Sequence, residues 1–432
     1  MRIEDVSTPM NFPTLLGVYL AVNAISDAYI LVDGPDCTLY KAHFIHGRHD
    51  LQSSLLSITG QHRVLFTNVC SRGVVKEHDA LLRRHLLTLG GLKESGLVLV
   101  TALPMCSITG VDYGRVLRSL KGKLAKTSID IPPDSLVGDW LDGYDQAMAS
   151  LARGLGLAKG RASKGRVALV GHLMDRNEAD QQANVVELKR MVAALGLETV
   201  SVWLDGGPAA ALKAAERAGL VVSLPYGRLA GRRIAETTGA KLVEAELPFG
   251  LVKTQSFLRQ VGKAAGKSAQ AEAFIEAELS RVVPRLQWLA PQRFLGKTAA
   301  FMGDPYLLDG FLDIAEDLGM RVTGAVSRGR AAHGAGLPKP EDRHPGVRVL
   351  REPPVFSQEV RDLMSAPKDL FVSCWCEREW PSMENRALEF GFPSYRHHAL
   401  FDRPFLGFNG MLGFVERMSD ALSQPRSTGS RR

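Results

Sequence analysis

The stretch Asp27–Tyr40, with the sequence DAYILVDGPDCTLY, sets a pattern that later segments of the chain repeat. Its apolar run from Tyr29 to Val32 is rich in strand-forming residues and predicts a short buried strand. The turn residues Asp33-Gly34-Pro35-Asp36 end that strand, and Cys37 follows them directly. Sites in open α/β sheets form outside the carboxyl ends of strands. Cys37 is therefore a candidate site residue, although a cysteine on its own is more often an inert buried side chain.

The bulk composition is that of a globular protein with about three domains. The chain has 432 residues, of which 45% are hydrophobic and 23% charged, and its formal net charge is +7. The basic residues form no nucleic-acid motif. The apolar stretch Thr8–Ser26 has no basic region before it and no cleavage pattern after it, so it predicts a buried first helix. We expect a cytoplasmic protein, in which five scattered cysteines indicate metal ligation or catalysis rather than a disulfide framework.

Strand-like and helix-like segments alternate along the whole chain. Three successive βα patterns predict an α/β fold with three Rossmann-like domains, whose parallel sheets surround a central cleft. We place the domains at residues 1–150, 167–290 and 297–432, with the Gly- and Lys/Arg-rich segment Leu151–Arg166 as a linker. The elements predicted between these limits include a helix over Asp79–Leu89, a strand over Leu97–Thr101, a helix over Arg228–Thr238 and a long helix over Ala271–Leu289 that is broken only by Pro284.

Three cysteines occupy similar positions in the first predicted domain. Cys37, Cys70 and Cys106 each follow a strand-like run, and the carboxyl ends of parallel strands share one edge of a sheet, so the three thiols can converge there. Iron–sulfur clusters are usually held by four cysteine thiolates. A partner chain, Asp36 or another oxygen would then supply the fourth ligand. Zinc is the alternative metal, although the sequence has no close CxxC pair. Three ordinary core cysteines are the remaining alternative.

A second group of candidate residues lies in the third predicted domain. Cys374 and Cys376 follow the predicted strand Leu370–Ser373. His397 follows Phe392-Pro393, where the next strand is predicted to start, so the two loops should be neighbours at the same edge. The three side chains are therefore expected to line one cavity, which would hold a substrate or a second metal centre. The alternative is that both thiols only fill space beside Trp375.

Two motifs that would indicate a nucleotide are incomplete or absent in the sequence. Gly262–Ser268, GKAAGKS, has three residues between its glycines where a phosphate-binding loop needs four, and it follows a predicted helix instead of a strand. No GxGxxG follows a predicted strand. We therefore expect no bound ATP, nicotinamide or flavin.

Five segments, taken in their order along the chain, resemble one known family. Together they are similar to the nitrogenase component 1 superfamily, which includes nitrogenase molybdenum–iron protein subunits, cofactor-assembly scaffolds, and dark-operative protochlorophyllide and chlorophyllide reductases. The segments are Asp33–Cys37 (DGPDC), Cys106–Asp112 (CSITGVD), Ala235–Thr254 with its LPFGLVKT, Phe301–Pro305 (FMGDP) and Phe392–Gly410 (FPSYRHHALFDRPFLGFNG).

The sequence departs from the pattern of this family at several positions. Asp33 stands where the family usually has His, and Cys70 falls between the usual cysteine loops. His397 aligns with the histidine that binds the active-site cofactor of nitrogenase. Pro225 stands where the family has the cysteine that also binds this cofactor, and Cys374 or Cys376 would be its replacement. Because Pro225 cannot bind a metal through a thiolate, we favour a substrate in the cavity of Cys374, Cys376 and His397.

The resemblance implies an electron-transfer role in the cytoplasm. A cluster of the [4Fe–4S] type would accept electrons from a separate ATP-dependent iron–sulfur reductase and pass them to a substrate in the interdomain cleft. The chain would form a dimer or tetramer with itself or with a homologous subunit, without nucleic acid or a membrane span, and a second metallocofactor stays open. The implied residues are the metal ligands Cys37, Cys70 and Cys106, the cluster-loop residues Gly34 and Asp36, and the catalytic residues Cys374, Cys376 and His397.

Two other functional classes stay open at this point. A scaffold subunit would hold a cluster or a metallocofactor precursor without turnover. A metal-free Rossmann-like protein would bind a ligand in the cleft and bury its cysteines.

Overall fold

A computed structural model describes residues 11–57, 61–69, 78–133, 138–330, 338–354, 357–374 and 386–423 of the chain. Within these residues the strands form three sheets, and every pair of neighbouring strands is parallel. The predicted α/β class with three parallel sheets is therefore confirmed. Parallel sheets need helical crossovers between their strands, which explains the alternation seen in the sequence.

The first sheet has the strand order β2-β1-β3-β4. Its two central strands are buried along their whole length, as expected for strands covered by helices on both faces. The elements are α1 Thr14–Asn23, β1 Ala28–Asp33, α2 Cys37–His43, β2 Val64–Phe66, α3 His78–Gly90, β3 Leu97–Ala102, α4 Pro104–Ser107, α5 Tyr113–Ser119, β4 Thr127–Asp130 and α6 Trp140–Gly154.

The second sheet has the order β6-β5-β7-β8. It is followed by two long helices that lie outside the sheet connections. The elements are β5 Ser163–Val170, α7 Ala179–Ala194, β6 Glu198–Val202, α8 Ala209–Leu212 with a 3-10 turn at Lys213–Arg217, β7 Ala218–Ser223, a 3-10 turn at Pro225–Gly227, α9 Arg228–Thr238, β8 Lys241–Glu244, α10 Leu251–Ala265 and α11 Ser268–Arg293.

The third sheet has the order β11-β10-β9-β12-β13. The last helix of the chain packs back against α7, α10 and α11, so the C-terminal end ties the second and third layers together. The elements are β9 Thr298–Gly303, α12 Pro305–Asp317, β10 Arg321–Ser327, a 3-10 turn at Pro340–Asp342, β11 Val349–Arg351, α13 Gln358–Ser365, β12 Leu370–Ser373, β13 Ala387–Glu389 and α14 Gly407–Ser423.

The linker predicted at Leu151–Arg166 is shorter than the sequence indicates. Helix α6 continues to Gly154 and β5 begins at Ser163, so only residues 155–162 connect them. The helix begins with a capping box, in which Asp139 accepts a hydrogen bond from Leu141 N at 2.8 Å. It packs against both α1 and α9. The position chosen for the first domain boundary, residue 150, falls inside this helix, and the three domain limits stay predictions.

The helix α11 is not broken at Pro284, contrary to the sequence-based prediction. It runs without interruption through Pro284 and Pro291. Proline removes one backbone hydrogen bond and crowds the preceding turn, but Val282 and Leu286 are buried on either side of Pro284 and hold the helix in place. Among the described residues, no helix combines the length and the apolar composition that a membrane crossing requires.

Helices α1 and α6 approach until their backbones touch. A Cβ atom at Gly17 would lie 1.7 Å from the Trp140 carbonyl oxygen, and one at Gly143 would lie 2.0 Å from the Thr14 carbonyl oxygen. No side chain fits at either position, because real Cβ atoms do not approach other atoms this closely. The two glycines therefore fix the distance between the first helix of the chain and the helix that leads to the second sheet.

Candidate functional site

Two of the predicted ligand cysteines lie at the carboxyl edge of the first sheet. Strands β1 and β3 are neighbours, with Asp33 paired to Ala102. Cys37 begins α2 after β1, and Cys106 lies in α4 after β3. Cys37 follows Asp33 by the same number of positions as Cys106 follows Ala102. Cys37 is partly buried and Cys106 fully buried. Cys70 lies outside the described residues.

The two thiols belong to different parts of the core. Cys37 packs against the apolar cluster that includes α1, whereas Cys106 belongs to the cluster beneath α3 and α5. Burial, together with the nearby Asp33 carboxylate, raises the pKa of the Cys106 thiol to about 11. In the part of the chain that the structure describes, no group of three Cys, His, Asp or Glu side chains is arranged to hold a metal ion.

Asp33 connects the two cysteine loops to each other. Its carboxylate accepts hydrogen bonds from the Thr67 hydroxyl and the Tyr113 hydroxyl, both at 2.7 Å. His78 Nε2 lies 2.6 Å from Asp33 Oδ2 but is not aligned as a hydrogen bond. The Asp33 carbonyl oxygen accepts from Leu103 N at 2.9 Å, at the start of the Cys106 loop. A fully buried carboxylate needs such partners, so Asp33 is a structural residue that holds both loops in place.

The remaining residues of the first loop have distinct positions. A Cβ at Gly34 would lie 2.7 Å from Leu103 Cδ1, so glycine is what allows the two loops to approach. Asp36 is exposed at the N-terminus of α2, and its side chain makes no capping hydrogen bond there. Thr38 follows Cys37, and its buried hydroxyl has no hydrogen-bond partner among the described residues.

The candidate cysteine of the third sheet lies next to an arginine. Cys374 follows β12 and is buried, and Arg328, which follows β10, donates a hydrogen bond from Nη1 to its sulfur at 3.2 Å. The same guanidinium stacks over the Phe12 ring, with 4.7 Å from Cζ to the ring centre. A neighbouring cation favours the thiolate form of cysteine. Cys376 and Trp375 lie outside the described residues.

His397 lies in the loop that joins the third layer to the second. Its carbonyl oxygen accepts hydrogen bonds from Ser394 Oγ and Arg176 Nη1, both at 3.1 Å. Burial, together with the Arg417 and Arg176 cations, lowers the pKa of the His397 imidazole to about 4. The ring is therefore neutral near pH 7, which is the form that binds metals. The described contacts of His397 and of Cys374 involve different residues, so their common cavity stays a prediction.

Glu178 is the centre of a polar junction between all three layers, which the sequence analysis missed. Its carboxylate accepts from Ala399 N at 2.8 Å in the third layer and from Leu51 N at 3.4 Å in the first, and lies 2.7 Å from His398 Nδ1. The buried residue Asp50 of the first layer accepts from Asn177 N at 3.0 Å. The signal available in the sequence was the run DRNEAD at residues 175–180, which directly follows the apolar strand β5 and its loop.

A small cavity lies beside this junction, between the second and third layers. It encloses about 20 Å³, and its walls are apolar except for Asp175, Arg176, Gln181 and Tyr226. One water molecule needs about 10–15 Å³ measured in this way, whereas pockets for small-molecule ligands typically have about 300–1,000 Å³. The described residues therefore leave space for a water molecule here but not for an organic substrate.

The carboxyl group of Asp175 makes the stability of this junction dependent on pH. Burial raises its pKa from 3.8 to about 7, so the folded state keeps a proton that the unfolded state loses, and stability falls as the pH rises from about 4 through 7. We expect Asp175→Asn to reduce the loss of unfolding free energy between about pH 5 and pH 8 by about 2 kcal/mol, measured by urea denaturation.

The matched control for this substitution is Asp402→Asn, which changes an exposed carboxylate of the His397 loop. It should leave the pH dependence unchanged. Burial also raises the pKa values of Asp145 and Asp304 to about 7. These two groups therefore preserve part of the pH dependence of the unfolding free energy in every variant. An unaltered slope in Asp175→Asn would show that this carboxyl group is ionised in the folded state.

Comparisons with known proteins agree with this architecture. The family model of nitrogenase component 1 type oxidoreductases matches residues 13–423. A nitrogenase molybdenum–iron protein beta chain from Methanococcus maripaludis is 22% identical over 467 aligned positions, which cover 94% of this chain and 92% of that protein. A solved structure of nitrogenase Cp1 at pH 6.5 superposes with a TM-score of 0.77 and 18% identity, covering 98% of this chain and 93% of the other, and one at pH 5 gives 0.74 and 14%, covering 98% and 90%.

The three parallel sheets give the chain the α/β fold of the nitrogenase structures on which it superposes. The chain belongs to the nitrogenase component 1 type oxidoreductases. The family predicted from the five sequence segments is therefore confirmed.

Proposed function

We propose that this chain is a nitrogenase-like reductase subunit that carries an iron–sulfur cluster of the [4Fe–4S] type at the edge of its first sheet. A separate ATP-dependent iron–sulfur protein would donate the electrons. Cys37, Cys70 and Cys106 would be ligands, and Asp36 is a candidate for the fourth position. The observation that carries this proposal is the equivalent placement of Cys37 and Cys106 after two paired strands.

Some neighbours of the two described thiols suit such a group, whereas burial and the Asp33 carboxylate oppose the thiolate form of Cys106. When bound, the cluster supplies one-electron transfer, and hydrogen bonds to its sulfurs tune its potential. The Thr38 hydroxyl beside Cys37 is a buried donor without a partner among the described residues. The network around Asp33 holds both loops, so the ligands would be positioned before the metal arrives. Cys106 has to lose its proton on binding, which makes loading easier as the pH rises.

The small cavity at the junction is not the site proposed for a substrate. It encloses about 20 Å³, which is too little for an organic substrate, and neither Cys374 nor His397 lines it. Cys374, Cys376 and His397 would instead face a substrate or a second metallocofactor in the interdomain cleft.

Anaerobic purification followed by iron and sulfide analysis tests the proposal. We expect a coloured protein whose visible absorbance is bleached by reductant and restored by oxidant. A colourless, iron-free preparation would favour the metal-free binding protein instead. Iron without substrate reduction, when a homologous subunit, the ATP-dependent partner and ATP are supplied, would indicate an assembly scaffold.

The oligomeric state gives a further prediction. Three large apolar side chains are exposed around the cysteine loops, namely Tyr40, Met105 and Ile108, and Ile108 is 74% exposed. Where exposed apolar side chains form one surface, that surface commonly marks an interface. We expect a dimer through this surface, with itself or with a homologous subunit, and Ile108→Arg should weaken it by about tenfold or more in dissociation constant. Light scattering after size-exclusion chromatography measures the effect.

The control for the interface is Trp288→Arg. Trp288 is 70% exposed, but it lies on α11, outside the layer that holds the cysteine loops. This substitution should leave the oligomer unchanged. A stable monomer of the unmodified chain with full cluster content would contradict the proposed interface.

A further inference from the structure

A second pocket, larger than the cavity at the junction, lies outside the carboxyl ends of β7 and β8. It encloses about 150 Å³ and is lined by Arg228, Lys253, Tyr306, Glu246 and Asp309 together with Leu247 and two prolines. The carboxyl ends of parallel strands are where α/β sheets bind ligands. This volume is well above the about 10–15 Å³ that a single water needs, and suits a ligand of a few heavy atoms.

Among the described residues, no carboxylate makes a salt bridge with Arg228, and the carboxylates of Glu244 and Asp145 act on its charge only from further away. The residue begins α9 and is 8% exposed. Its guanidinium donates to the carbonyl oxygens of Ser223 and Ala245, the latter at 2.7 Å. These oxygens are neutral acceptors, so they satisfy hydrogen bonds without compensating the charge. A buried cation whose nearest carboxylates lie beyond contact distance is only partly compensated, which is costly.

The other charges in the pocket are already compensated. Lys253 Nζ lies 2.5 Å from Asp309 Oδ2 and 3.3 Å from Glu246 Oε1. Asp309 also pairs with Arg343 at 2.5 Å. The side chain of Glu246 is 45% exposed, so water screens its charge. Arg228 is therefore the cation of this pocket that has no carboxylate at contact distance among the described residues.

We propose that this pocket binds a small oxyanion, a carboxylate or a phosphate, whose oxygens pair with the Arg228 guanidinium. The planar guanidinium matches both groups through two parallel hydrogen bonds. The Tyr306 side chain, which is mostly buried in the pocket wall, limits the size of the anion. This site lies apart from the cysteine loops, and the inference does not depend on the proposed electron transfer.

Isothermal titration of the full chain with inorganic phosphate and with acetate, in chloride of matched ionic strength, tests the site. We expect saturable binding of at least one of the two, and the tighter anion identifies the class. Arg228→Lys should weaken it by about tenfold or more, because lysine cannot form the paired hydrogen bonds. Arg232→Lys is the control, since this exposed residue of the same helix pairs with Glu244 at 2.6 Å.

A second variant decides the outcome if Arg228→Lys does not fold. Glu246→Gln removes a negative charge from the pocket wall and leaves Arg228 intact, so it should tighten anion binding by about threefold. The proposal is overturned if neither anion binds saturably, or if binding is equally strong in Glu246→Gln and the unmodified chain.

Discussion

Cys37→Ala and Cys106→Ala, each made alone, should lower the cluster content of anaerobically purified protein by about tenfold or more. Residues behind metal ligands already change metal affinity by about 10- to 100-fold, and the loss of a ligand should do at least as much. Cys37 is partly buried and Cys106 fully buried, each after one of two paired strands. Iron and sulfide analysis with visible absorbance measures the loss.

The control for these variants is Ser107→Ala, in the same loop as Cys106. It removes a hydroxyl that donates to the Pro104 carbonyl oxygen at 2.8 Å and leaves the thiol in place. Thermal unfolding should show that all three variants are folded. Full iron content in both cysteine variants would refute the cluster assignment. Cys70→Ala then shows whether the third predicted ligand takes part.

Glu178→Ala should lower the free energy of unfolding by about 3–5 kcal/mol, which is the usual cost of removing one partner from a buried charged network. The carboxylate is 2% exposed and lies 3.7 Å from Arg176 in addition to its contacts with Leu51 and Ala399. Its removal leaves the Arg176 charge and two backbone N–H groups without this acceptor. Urea unfolding followed by tryptophan fluorescence measures the change.

A surface ion pair provides the comparison for Glu178. Glu416 lies 3.2 Å from Arg403, and both side chains are more than half exposed. Glu416→Ala should cost less than about 1 kcal/mol, because water screens the pair. Equal losses in the two variants would mean that the junction contributes no more than an ordinary surface contact.

The elements that were predicted correctly are determined by residues that are close together in the sequence. Helix α9 was predicted at its observed limits, Arg228–Thr238, because it ends at Gly239, which adopts a left-handed conformation with φ 78° that glycine favours. The strand before Cys37 was recognised because both of its faces are buried, which gives a continuous apolar run. In both cases the information lies within a few neighbouring residues.

The contacts that could not be predicted from the sequence join residues that lie far apart along the chain. Asp33 is held by Thr67 and Tyr113, and Glu178 by a loop more than two hundred positions further along the chain. No local sequence pattern indicates such contacts. Composition also misled the analysis at Leu151–Arg166, where the glycine-rich segment contains the end of α6 and the polar beginning of β5. The shared cavity of Cys374, Cys376 and His397 stays a prediction.

The backbone contact between α1 and α6 limits how this molecule can move. Gly17 and Gly143 leave no side chain between the helices that could yield when they slide, and α6 also packs against α9 of the second layer. Sliding of α1 along α6 is therefore disfavoured, because the two backbones are already in contact. Separation of the third layer would break apolar packing as well as hydrogen bonds, because the Phe392 ring lies 5.0 Å from the Trp140 ring of α6 and α14 packs against α7, α10 and α11.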